Sequence, residues 1–93
     1  RLPLTLSQNV PNPFNPSTTI RFYLPEKCRV KVVVYDVSGR MITSLADGDR
    51  PAGHHSLAWN GRDNLGKPVA SGIYFCRLQA GKEMRSRKMI MIR

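Results

Sequence analysis

Apolar and polar residues alternate along most of this chain with a period of two. Leu2, Leu4 and Leu6 open the pattern, so residues 2–7 read as a short first strand. From Thr18 to Leu24, Ile20, Phe22 and Leu24 take one side and Thr19, Arg21 and Tyr23 the other. Alternation of this kind marks a strand half-buried in a sheet, because successive side chains point to opposite faces. Cys28 to Val37 is the strongest such segment. Val30, Val32 and Val34 point inward with Cys28 in phase, while Arg29, Lys31, Val33 and Tyr35 point the other way. Its β-branched residues suit a pleated surface. Pro25-Glu26-Lys27 turns the chain before it, and Ser38-Gly39 predicts a two-residue hairpin turn after it. Met41 to Ala46 returns as a strand. Its apolar residues Ile42 and Leu45 are irregularly spaced, which predicts a bulge. Asp47 to Gly53 reads as a polar loop. His54 to Asn60 is a strand with His55, Leu57 and Trp59 on one face, and the single Trp is expected to anchor the core. Asn60 to Pro68 is a turn-rich loop. Ser71 to Gln79 sets Tyr74, Cys76 and Leu78 opposite Ile73 and Phe75. Ala80-Gly81 turns the chain, and Glu83 to Arg93 is a final strand. Helical periodicity is absent. About seven strands with turns at this spacing predict an all-β, Ig-like antiparallel sandwich.

One stretch breaks the alternation. Gln8-Asn9-Val10-Pro11-Asn12-Pro13-Phe14-Asn15-Pro16-Ser17 holds three prolines, three asparagines and one aromatic ring. Each Pro fixes φ and lacks a donor, and each residue before a Pro is pushed out of the helical region. Asn side chains close local turns. The stretch is therefore a stiff corner, and Phe14 is its plug for the core.

Ninety-three residues make one domain with a modest core. Arg1 is not a start Met, so the chain is expected to be a piece of a longer protein. No apolar run approaches the length that spans a membrane. The net charge of +9 points either to an anionic partner or to a solvated basic surface. Two cysteines, Cys28 and Cys76, make no disulfide framework. A bridge between facing sheets and a pair of buried free thiols both account for them.

Catalysis needs a constellation, and none is evident. Asp47 and Asp49 sit together on the predicted loop beside Arg50, as a solvated pair rather than an acid/base dyad. Asp36 is placed to support the turn at Ser38-Gly39. His54 and His55 are adjacent on a strand and point to opposite faces, so they do not chelate one metal in the usual way. No cofactor is expected. Arg21 with Tyr23 and Lys31 with Tyr35 form a thin aromatic and basic platform, without an RNA-binding motif, so no nucleic-acid partner is expected. The run Arg85 to Arg93 is both basic and strongly apolar. It reads as a docked final strand that also offers a handle to a partner.

These residues carry a family resemblance. Gln8 to Ile20 resembles the opening of the C-terminal sorting domains of the type IX secretion system; Val10 departs from that pattern, where an aromatic is usual. Further matches follow at Val34 to Arg40, at Ala52-Gly53-His54-His55 leading to Trp59-Asn60-Gly61, at Ser71-Gly72-Ile73-Tyr74, and at Lys88 to Arg93. The middle motifs are shared with the Ig-like domain of flagellar hook-capping proteins. The resemblance implies a β-sandwich following an N-terminal cargo domain in an exported bacterial protein. It implies passage through the periplasm, then secretion or display at the cell surface. The implied partners are the secretion machinery, its surface sortase-like peptidase and anionic lipopolysaccharide. It places recognition on Lys88, Met89, Ile90, Met91, Ile92 and Arg93. It gives structural roles to Asn9, Pro11, Asn12, Pro13, Phe14, Asn15 and Pro16 of the corner, and to Asp36, Gly39, Trp59, Gly72 and Tyr74. Cys28 and Cys76 are not part of the pattern. The alternative is an accessory Ig-like module that binds a glycan or assists assembly or adhesion at the surface.

Overall fold

The period-two segments become seven strands: β1 (Thr5–Leu6), β2 (Thr18–Leu24), β3 (Cys28–Asp36), β4 (Met41–Arg50), β5 (Gly53–Trp59), β6 (Gly72–Ala80) and β7 (Glu83–Met91). They are those of a computed structural model that describes residues 2–93; Arg1 lies outside the described residues. Two antiparallel sheets result, in the order β1-β2-β5 and β4-β3-β6-β7. This is the Ig-like sandwich that the alternation predicts.

The inward positions make one core. Ile20, Phe22, Leu24 and Trp59 come from the three-stranded sheet, and Val30, Val32, Val34, Cys76, Leu78, Met89 and Met91 from the other. Phe14 joins them from the corner and is 2% exposed. The two irregular apolar residues of β4 fall at register shifts. Val32 pairs with Ala46 and Val33 with Ser44, skipping Leu45; Val34 pairs with Thr43 and Tyr35 with Met41, skipping Ile42. The expected bulge is therefore present twice.

Several expectations need correction. Asp47 to Gly53 is not a loop, because β4 runs on to Arg50, which pairs with Cys28. The start of β3, Cys28 to Lys31, supplies backbone partners there, and pairing overrides the local turn signals of Asp47, Gly48 and Asp49. The first strand is only Thr5–Leu6, since Pro3 brings no donor. The hairpin after β3 has three loop residues, not two. The Asp36 N–H donates to Arg40 O at 3.0 Å and Gly39 N–H to Asp36 O at 3.0 Å, with Gly39 at φ 85°. That is a three-residue loop with its left-handed position filled by glycine. Val33 faces outward as expected yet is buried, between its strand partners Ser44 and Arg77. The cysteines are free and share one sheet rather than facing across two. Cys76 pairs with Val34, six residues along β3 from Cys28, a separation of roughly 20 Å that no disulfide spans.

Unpaired strand edges invite other chains, and this fold blunts them. On β4, Asn64 covers the edge: its N–H donates to Ile42 O at 3.1 Å and its Oδ1 accepts the Ser44 N–H at 3.3 Å. The corner covers the edge of β7 from Lys88 onward.

Candidate functional site

The corner is built from inside. Asn9, 2% exposed, donates through Nδ2 to Pro11 O and to Thr18 Oγ1, and Thr18 Oγ1 donates to Pro11 O at 2.8 Å. Val10 and Thr19 exchange backbone bonds of 3.0 and 2.9 Å. The Val10-Pro11, Asn12-Pro13 and Asn15-Pro16 bonds are cis. The Phe14 ring meets Trp59, 5.6 Å away between centroids, and Trp59 in turn meets Tyr74 edge-on at 5.3 Å. Tilted and edge-on rings are the favoured aromatic geometries. The polar ends are satisfied, because Trp59 Nε1–H donates to Arg62 O at 3.0 Å and the Tyr74 hydroxyl to Ala70 O at 2.6 Å.

The corner then closes on β7. Asn12 Oδ1 accepts the Ile90 N–H at 2.9 Å. The Phe14 N–H donates to Ile90 O at 3.0 Å, and the Ile92 N–H donates to Phe14 O at 2.9 Å. Gln8 Nε2–H donates to Lys88 O at 2.7 Å. A parallel bridge pairs Phe14 with Met91. Along Lys88–Arg93, Met89 and Met91 are buried in the core, while Lys88, Ile90 and Ile92 point out. Arg93 is held by its backbone N–H to Ser71 Oγ at 2.8 Å, by Nε–H to Val69 O and by Nη2–H to Gly61 O, both at 2.6 Å. Gly61 is required there. Its φ is +72°, and a Cβ would stand 2.9 Å from Met91 Sδ and 3.0 Å from Pro16 O.

Of the residues singled out in the sequence, Asn12, Phe14, Trp59, Tyr74 and Lys88–Arg93 therefore come together, with Gly72 in register opposite Met91. Pro11, Pro13, Asn15 and Pro16 lie on the surface of the same corner. Asp36 and Gly39 do not join them; they build the β3–β4 hairpin. Asp36 Oδ1 accepts from the Ser38 hydroxyl and from the Ser38 and Arg40 N–H groups. The Ser38 hydroxyl first, then these backbone donors and the Arg40 charge, hold its carboxyl below the usual carboxylate range. Over Lys88–Met91 both backbone edges of the strand are occupied, one by β6 and one by the corner, so the last strand presents side chains rather than a free edge. Gln8, Gly61 and Ser71 were not singled out as partners of the last strand, and no local signal points to them.

The other polar groups are absorbed locally. His55 stacks on Phe22 at 5.1 Å with Nε2 2.8 Å from Pro51 O, while His54 meets Tyr23 at 4.8 Å. Asp47 pairs with Arg29 at 2.7 Å. A groove beside Trp59 and the 60–66 loop carries Asp63, whose Oδ1 accepts the Leu65 and Lys67 N–H groups. Burial pushes the Cys76 thiol up to about 12. Among the described residues, no three of His, Cys, Asp or Glu gather closely enough to hold a metal ion.

The profile of the FlgD Ig-like domain matches residues 9–83. The chain belongs to that family. The FlgD Ig-like match starts inside the corner and stops at the first residue of β7. FlgD from P. aeruginosa overlays on 80% of the chain with a TM-score of 0.63 and 25% identity. Dimeric latent PorU from Porphyromonas gingivalis overlays on 96%, with a TM-score of 0.68 and 23% identity. PorZ, described as an essential bacterial surface component of the type IX secretion system of the same organism, overlays on 97%, with a TM-score of 0.63 and 23% identity. The chain spans 57% of that FlgD, 9% of PorU and 11% of PorZ. No curated protein matches the chain.

Proposed function

We propose that this FlgD-type Ig domain is a non-catalytic sorting module that directs an exported bacterial protein across the outer membrane by the type IX route. The observation that carries the reading is the closure of the Gln8–Ser17 corner on Lys88–Ile92. The two stretches in which the sorting-domain resemblance begins and ends form one bonded unit. The overlays on PorU and PorZ, nearly complete along this chain, support it as likenesses of fold. In this reading the domain follows its cargo, crosses the periplasm and ends at the cell surface or beyond. The secretion machinery and a surface sortase-like peptidase are its partners, and anionic lipopolysaccharide is the attachment point of the cargo.

The test is a fusion. Residues 1–93 are placed behind a reporter with an inner-membrane signal peptide, in a host that has the system. Surface or medium reporter is expected with the domain and periplasmic reporter without it. Equal retention in the periplasm overturns the reading.

A second reading is an accessory assembly or adhesion module, favoured by the FlgD family match and the +9 charge. Salt-sensitive binding of the purified domain to an acidic polysaccharide, with no export in the fusion, would support it.

A further inference from the structure

Strand addition cannot reach Lys88–Ile92 while the corner is in place. The inner edge of β7 pairs with β6, and its outer edge is bonded to Gln8, Asn12 and Phe14. Met89 and Met91 are buried, and Arg93 is held by three hydrogen bonds. The outward side chains of Lys88, Ile90 and Ile92 remain.

Those side chains continue onto β6. Register sets Ile90 beside Ile73 and Lys88 beside Phe75, and Arg77 stands two residues further along β6. Ile73, Phe75, Ile90 and Ile92 are 40%, 37%, 36% and 52% exposed. Neighbouring apolar side chains on one sheet face keep a contiguous surface in water, which marks an interaction site. The outward positions of β6 and β7 carry two cations, Arg77 and Lys88, and no carboxylate. Arg77 lies 4.7 Å over the Tyr35 ring, which fixes its guanidinium before any partner arrives. Four apolar side chains around two cations suit a protein surface better than a polyanion, which binds through many charges.

We infer that the outward face of β6 and β7 is a docking surface for a protein whose apolar centre is flanked by carboxylates. Recognition runs through side chains of both strands, not through the backbone edge of the last one. The inference rests on the sorting reading of Lys88–Arg93 and adds which atoms are read and the chemistry of the reader.

The same fusion tests it, with the secretion machinery of the host as the probe. An Ile73→Ser/Ile90→Ser double variant and a Lys88→Glu variant are compared with Arg21→Glu on the opposite sheet. Melting of the purified domains reports whether each still folds. Both face variants are expected to fold and to lower exported reporter at least about tenfold, with Arg21→Glu unchanged and Lys88→Arg close to wild type. Lys88→Glu leaves every core residue in place, so it decides the matter where the double variant loses its fold. Folded face variants that export like the wild-type domain overturn the inference and leave the sorting reading intact. A wild-type domain that exports nothing removes both.

Discussion

Asn12 and Ile90 stand 78 positions apart and share one hydrogen bond, 2.9 Å from the Ile90 N–H to Asn12 Oδ1. With the two Phe14 bonds it completes an edge that β6 leaves open. Asn12→Ala is expected to cost about 1 kcal/mol, the net worth of a neutral hydrogen bond. Chemical denaturation measures the loss. Amide exchange locates it: the Ile90 N–H should exchange faster while the β2 amides keep their protection. Unchanged exchange at Ile90 would mean that the Asn12 bond is not what protects that amide.

Phe14 is the plug that the corner exists to place. Its ring is 2% exposed and tilted on Trp59. Phe14→Ala removes the ring and leaves a cavity between the sheets, at a cost of about 3–5 kcal/mol in denaturant unfolding. For a domain this small that is a large share of its stability. A near-neutral result would mean that the corner is held by its polar bonds.

Gly61 and Gly66 separate two reasons for glycine. Both have positive φ, +72° and +80°, but only Gly61 lacks room for a Cβ. Gly66→Ala is expected to cost about 1 kcal/mol, the conformational penalty alone. Gly61→Ala adds a clash with Met91 Sδ and Pro16 O and should cost roughly 3 kcal/mol or more. Thermal melts of the two variants side by side test the order.

Shifted groups make stability depend on pH at both ends. The Asp36 carboxyl titrates below its unfolded value of 3.8, so its contribution is present above that pH and is lost as pH falls further. Asp36→Asn should flatten the acid limb of a melting-temperature profile. The Cys76 thiol is raised by burial from 9.0 to about 12, so its contribution is full below pH 9 and is lost as pH rises towards 12. Cys76→Val should lose less melting temperature between pH 8 and 10 than the wild type does. The remaining loss in the alkaline limb falls to Cys28 and Tyr74, both raised mainly by burial.

The strands were legible wherever the pattern was local. Thr18–Leu24 and Gly72–Ala80 each present the face that their alternation announces. Gly48 and Asp49 misled because their turn chemistry is real but weaker than the backbone partners that β3 offers. The last strand was half legible. Met89 and Met91 face in, and Ile90 and Ile92 face out, but all four are apolar, so no alternation tells the sides apart. Phe14 could be read as a plug from its setting. The partner of Asn12 could not, because nothing within ten residues of the corner indicates which edge it will cover.

The closure of the corner on the last strand also has an entropic cost. Closing a loop of 78 residues costs about 4 kcal/mol beyond a constant, and the Asn12–Ile90 contact can form only after that cost is met. Contacts so distant in sequence slow folding. A nascent chain that has not yet supplied residue 89 has neither Met89 and Met91 to fill the core nor Ile90 and Ile92 for Phe14 to hold. The core and the covered edge of this domain therefore exist together only once the corner and β7 are both present.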